Sequence, residues 1–237
     1  DIASVLVQNR VAIAESRLPE EVRRQGITTK KKSTEITLLL ALTSEGRLYD
    51  DLFLSDFATQ RLKDELLRVP GVGDVQIFGA GEYAMRVWID PGILQSRGLT
   101  TSDVVSAIRE QNVQVAAGRI GAEPAPEGQV NQFTVTTRGR LTDPEEFGQV
   151  VVRTGEGGAI TRLADVARIE LGAKTYDLSC SFNREPAAGL AIYQTPGANA
   201  IEVSDGVRAR MASLEGTFPE SLRWEAVYDS TEVIRAS

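Results

Sequence analysis

The chain has 237 residues, 42% of them hydrophobic and 25% charged, with a formal net charge of −7. That acidic balance, with no basic stripe and no interleaved aromatics, argues against a nucleic-acid partner. The absence of histidine removes the commonest metal ligand and the commonest general base together. Cys180 is the single cysteine, so neither an internal disulfide nor a Cys-rich metal cage can form. No apolar run approaches the roughly twenty residues of a membrane helix, and there is no signal peptide. Asp1 leads directly into IASVLVQNRVAIA without an initiator Met, which reads as a piece of a longer chain.

The first element is a helix with two apolar sides, Ile2, Val5, Leu6 and Ile13 on one and Val7, Val11 and Leu18 on the other, so it asks for cover on both. Pro19 ends it. A polar link, ITTKKKST, places Lys30, Lys31 and Lys32 in a solvated linker, too few to form a membrane-binding cluster. The continuous apolar run from Ile36 to Leu42 suits a strand buried on both faces, and Gly46 makes the following turn. Asp50 to Val69 then reads as a helix with Leu54, Ala58, Leu62, Leu66 and Val69 on one side. Pro70 and Gly71 stop it, a strand runs through Val75 to Phe78, and Gly79 and Gly81 permit a tight turn into a second strand. Helix-start signals follow at Thr100-x-x-Asp103, before VVSAIREQ, and at Thr142-x-x-Glu145, before FGQVVVR. Between them, Gly121 to Gln129 is rich in Pro and Gly and should be a long exposed excursion.

Near the C-terminus the β-α-β grammar repeats. Ala187 to Tyr193 reads as a strand and Pro196-Gly197 as a turn. Asn199 with Glu202 resembles a capping box for a helix carrying Val203, Val207, Met211 and Leu214. Pro219 closes that element, and Leu222 to Tyr228 is a final strand. Two β-α-β halves pairing into one sheet predict an α+β, ferredoxin-like split β-α-β domain, with the stretch between them as an inserted α+β domain.

Groups suited to chemistry are sparse. The carboxylate pairs Asp50-Asp51 and Glu145-Glu146 fall in first turns of helices, where they complement the macrodipole, and no acid or histidine partner accompanies them. GAGEY joins two strands and does not open a helix, so it is no nucleotide loop. Cys180 is expected to be a small buried residue. The chain therefore reads as a binding module, not an enzyme, with no catalytic residue, metal site or cofactor.

Two stretches, VPGVGDVQIFGAGEYAMRVWIDP (Val69 to Pro91) and REQNVQVAAGRIGAEP (Arg109 to Pro124), resemble the periplasmic porter and docking region of the hydrophobe/amphiphile efflux branch of resistance-nodulation-division (RND) multidrug transporters. The resemblance covers essentially the whole chain. It implies that residues 1–34 end a first porter subdomain, 35–81 and 173–229 form a discontinuous second one, 82–172 form a docking subdomain, and 230–237 lead into a transmembrane helix. By the same likeness the chain is the periplasmic portion of a bacterial inner-membrane pump, a proton-driven homotrimer. Such a pump exports amphipathic small molecules together with a periplasmic adaptor protein and an outer-membrane channel. An arm from Gly118 to about Arg140 would reach into the neighbouring protomer.

Carried over position by position, the drug pocket of that family falls on Ile36, Leu39, Phe78, Leu178 and Tyr228, with Thr34, Glu35, Gln76 and Asp177 at its polar edge. Ile36 stands where the best-known members have Phe, which removes an aromatic contact. Read without the resemblance, Ile36, Leu39 and Leu178 are ordinary core residues, and Phe78 and Tyr228 are core or capping residues. A heavy-metal transporter is disfavoured by the lack of histidine and of a methionine cluster. The alternative function is a soluble ferredoxin-like ligand-sensing or protein-interaction module without transport.

Overall fold

A computed structural model describes residues 2–113, 119–120, 133–134 and 140–235. In chain order the elements begin with α1 (Ile2–Glu15), α2 (Glu20–Gln25), β1 (Leu38–Ser44), α3 (Asp51–Phe57), a π-helical segment (Ala58–Leu62), α4 (Lys63–Leu67) and β2 (Val72–Phe78). There follow β3 (Tyr83–Ile89), α5 (Pro91–Ser96), α6 (Thr101–Gln111), β4 (Arg119–Ile120), β5 (Phe133–Thr134), α7 (Pro144–Gly148), β6 (Val151–Thr154), β7 (Ile160–Arg162) and β8 (Ala167–Ala173). The chain closes with β9 (Ser181–Phe182), β10 (Glu185–Gln194), α8 (Ala200–Leu214), β11 (Leu222–Asp229) and α9 (Thr231–Arg235). They form two compact units, one of Asp1–Tyr83 with Ala173–Ser237 and one of Ala84–Gly172.

The larger unit is built on a sheet in the order β11-β1-β10-β2, every neighbouring pair antiparallel. Numbered by appearance this is 4-1-3-2, the split β-α-β topology expected from the sequence. Leu38, Leu40 and Leu42 of β1 are fully buried against helices on one face, together with Leu190 and Ile192 of β10. The expectation that β1 is buried on both faces holds only in part. Ala41 on the other face is buried, whereas Leu39 and Thr43 are half-buried and Ile36 lies outside the strand.

The helix opposite β1 starts at Asp50, whose carboxylate accepts from the Phe53 amide at 2.8 Å. Its apolar positions Leu54, Ala58, Leu62 and Leu66 are all buried, though a spacing of four drifts round a 3.6-residue helix by about 40° per step. The π segment absorbs that drift by widening one turn, and so keeps the stripe on the sheet. α8 supplies Val203, Val207 and Met211 to the same core. Asn199 caps α8 by accepting from the Ile201 amide at 3.0 Å, while Glu202 bonds the Asn199 side chain and not its backbone, so the motif is a cap without the full box. At the end of β11, buried Asp229 accepts from Ser204 Oγ, Arg208 and Thr231, tying the sheet to α8 and α9.

The smaller unit has its own core of Leu94, Val104, Phe147, Val150, Leu163 and Val166. Thr100 and Asp103 make the full capping box of α6. The second predicted start is displaced by one residue. Asp143 is the N-cap, because Pro144 fits the first helical position, where no N–H is needed, and Glu146 reaches back to the Thr142 amide. Gln111 uses its side-chain amide as a strand surrogate, donating to Val151 O at 2.8 Å and accepting from Val151 N at 2.9 Å. Gly121 to Gln129 lies outside the described residues. The two ends of the insertion are joined in the larger unit by a bond from Lys174 N to Glu82 O at 2.9 Å.

α1 presents no buried residue, and Ile2, Leu6 and Ile13 are 81%, 56% and 71% exposed. Among the described residues no helix is long and apolar enough to cross a membrane.

Candidate functional site

Side chains alternate along a strand, so with Leu38, Leu40 and Leu42 turned to the helices, Leu39 and Ala41 belong to the opposite face. Register then decides what joins them. Leu39 is partnered by Tyr228 on one side and Ala191 on the other, and Ala191 by Gln76, giving the row Tyr228–Leu39–Ala191–Gln76 across four strands. The next row runs Ala41–Gly189–Phe78. Leu39, Gln76, Phe78 and Tyr228, expected at the site from sequence, therefore occupy one face.

That face is shallow because β10 contributes Ala187, Gly189 and Ala191 to it. Phe78 uses the space: its Cβ and Cδ2 lie 3.4 and 3.7 Å from where a Cβ on Gly189 would sit. Cys180 Sγ is 3.6 Å from the same point, and the cysteine is half-buried, not fully buried as expected. Burial pushes its thiol up, away from thiolate reactivity. Phe78 and Leu39 are half-buried, Gln76 is exposed, and Tyr228 is 52% exposed. An aromatic ring, a phenol, an aliphatic side chain and an amide thus stand open on a rigid platform, the composition that receives apolar or aromatic ligands with little geometric selection.

The remaining expected residues are not in these rows. Thr34 and Glu35 are exposed and Ile36 is half-buried in the segment before β1; Asp177 is exposed and Leu178 is 63% exposed in the segment before β9.

The structure adds residues that the sequence did not single out. Tyr193, opposite Asp74 in the ladder, donates its hydroxyl to Gln76 Oε1 at 3.3 Å. Lys32 Nζ sits 3.8 Å from the centroid of the Tyr193 ring. Lys30 and Lys32 pair with Asp74 at 2.6 and 3.3 Å, so the exposed linker that carries them is tied to β2. Burial pushes the Asp74 carboxyl up, but the two ammonium groups outweigh it and hold the carboxyl below its ordinary range. Beside these residues runs a groove of about 500 Å³ along β2, lined by Lys30, Lys32, Asp74 and Gln76, with Lys63 and Lys174. A signal that could have found this face is the alternation of small residues at Ala187, Gly189 and Ala191, with Gly189 marking a close approach.

Nothing in this arrangement pairs a nucleophile with a base. Among the described residues no group of three or more His, Cys, Asp or Glu is placed to hold a metal ion.

The chain matches the sequence family described as the AcrB/AcrD/AcrF family over residues 1–237. It is 41% identical over 239 residues to the multidrug export protein AcrF of Escherichia coli (strain K12), a match covering 100% of this chain and 23% of that protein. It is 40% identical over 237 residues to the solvent-resistant pump membrane transporter SrpB of Pseudomonas putida, again over 100% of this chain and 22% of the relative. The multidrug resistance protein MdtF of E. coli (strain K12) is likewise 40% identical over 100% of this chain, which spans 23% of MdtF. The chain thus spans less than a quarter of the length of these curated relatives.

Proposed function

Because this chain belongs to the AcrB/AcrD/AcrF family of RND multidrug transporters, we propose that it is the portion of an efflux pump that receives amphipathic compounds on the open face of its main sheet and passes them on. The observation that carries this reading is the convergence of Leu39, Gln76, Phe78 and Tyr228 on that face from three strands far apart in sequence. Apolar and aromatic side chains left partly exposed over a rigid platform gain contact area when a ligand covers them. The names of the relatives, a multidrug export protein and a solvent-resistant pump, fit such a surface.

In this reading residues 35–81 and 173–229 are the second porter subdomain, 82–172 the docking subdomain, 1–34 the end of the first porter subdomain and 230–237 the approach to a membrane helix. The module binds and conducts without catalysis. It lies on the periplasmic side of the inner membrane in a proton-driven homotrimer that works with an adaptor protein and an outer-membrane channel. Ile36, Leu178, Thr34, Glu35 and Asp177 complete the site from its flanking segments.

The test is Phe78→Ala in the intact transporter. Losing the ring removes contact worth about 1–3 kcal/mol, so export of aromatic compounds should fall while that of small aliphatic ones persists at equal expression. Unchanged minimal inhibitory concentrations across an aromatic and aliphatic panel would overturn the assignment.

A further inference from the structure

The groove beside β2 has a charge that the function above does not use. Its lining carries four ammonium groups, Lys30, Lys32, Lys63 and Lys174, against the carboxylates Asp74 and Glu82, in a chain whose overall charge is −7. Asp74 is already held by Lys30 and Lys32. Lys63 and Lys174 form no ion pair among the described residues, and Lys63 directly follows the π segment, whose Thr59 also lines the groove. β2 is the last strand of its sheet, so the groove lies along a strand edge. Gln76 belongs both to this groove and to the open face. Asp74, Gln76 and Phe78 alternate on one side of β2, each about 6–7 Å from the next, so the basic groove and the Phe78 ring are separated by a few bond lengths of ligand.

Resting on the assignment of the open face as the ligand site, we propose that this groove takes the anionic head of an amphiphile, a carboxylate, sulfonate or phosphate, while its apolar body lies over Phe78, Leu39 and Tyr228. The site then prefers anionic amphiphiles to neutral and cationic ones of the same shape. Charge-assisted bonds from Lys63 and Lys174 fix the head, and Lys32, seated on Tyr193, bridges the groove to the aromatic face. A cationic head meets an excess of ammonium groups and gains only what Asp74 and Glu82 leave unmatched.

Titration of the 237-residue chain with three fluorescent probes of one body and different heads, pyrenebutanoate, pyrenebutanol and pyrenebutylammonium, tests this. The anion should bind about tenfold more tightly than the alcohol at low salt and the cation most weakly, with the margin shrinking as ionic strength rises. Lys63→Gln with Lys174→Gln should bring the anion-to-alcohol ratio close to one, the corresponding double Arg variant should keep it, and Phe78→Ala should weaken all three probes alike. A ratio of one or less in the parent, or a ratio that survives the double Gln change, overturns the charge preference while an effect of Phe78→Ala leaves the site standing. Probes that do not bind, or that ignore Phe78→Ala, remove the site assignment and the charge preference with it.

Discussion

Leu39 of β1 and Tyr228 of β11 stand directly opposite each other in an antiparallel ladder, yet Leu39 is half-buried whereas Tyr228 is 52% exposed. β11 is an outer strand, so Tyr228 has a ladder neighbour on one side only. The two positions should separate stability from ligand response. Tyr228→Ala is expected to change unfolding free energy by less than about 1 kcal/mol while weakening binding of an aromatic ligand. Leu39→Ala should lower both. Urea denaturation and a pyrene titration on the two variants check this, and a Tyr228→Ala protein with unaltered affinity would count against the face as a site.

The Asp229 carboxylate gives the larger unit an acid-sensitive joint. Its burial alone would raise the pKa, but the bonds from Thr231, Ser204 and Arg208 win and hold it well below the usual carboxylate range. A folded pKa below the unfolded one contributes stability that is present above the unfolded value, about 3.9, and is lost as pH falls toward the folded pKa. Asp229→Asn should therefore cost about 1.5–3 kcal/mol at neutral pH and flatten the fall in stability below about pH 4. Equilibrium unfolding at pH 7 and at pH 3 measures both effects. A variant with the parent's full acid dependence would show that other carboxylates govern it.

Gly71 ends the helix with φ +85°, and a Cβ there would stand 2.6 Å from Val203 Cγ2. Left-handed backbone and a blocked position act together, so Gly71→Ala should destabilise by at least about 1–2 kcal/mol. Gly46, with φ +69° and nothing within 4 Å of its would-be Cβ, is the control, since it suffers the backbone cost alone. Equal losses at the two positions would mean that Val203 moves aside freely.

The exposed apolar residues of α1 predict self-association of the chain. Removing residues 1–19 should lower the association measured by light scattering at matched concentration and leave the thermal transition of the sheet domain in place. A truncated protein that associates as strongly as the parent would place the adhesive surface elsewhere.

The fold was legible where a local rule was sufficient. Apolar spacing located β1, the helix after it and α8, and the Thr100-Asp103 box located the start of α6. The rule failed where two local signals competed, as at Thr142, which lost the cap to Asp143 once Pro144 took the first helical position. The helix stripe at 54, 58, 62 and 66 was recognised as one side, but its spacing of four already contained the π segment, which was not drawn from it. The candidate site was suggested only by resemblance, because what makes Leu39, Gln76, Phe78 and Tyr228 neighbours is strand register, a long-range property that no local pattern encodes. The same holds for Lys30 and Asp74, 44 residues apart and joined by a 2.6 Å bond.

The bond from Lys174 N to Glu82 O means that the sheet domain meets its long insertion as it would meet a short turn. Loop-closure entropy grows only with the logarithm of loop length, and once the two ends are pinned the length of chain between them adds little to the cost of assembling β1, β2, β10 and β11. The segment between these anchors can thus be enlarged, shortened or exchanged at little cost to the sheet. A gene in which Glu82 and Lys174 are joined by a tight turn should still encode a protein that folds in the 4-1-3-2 order.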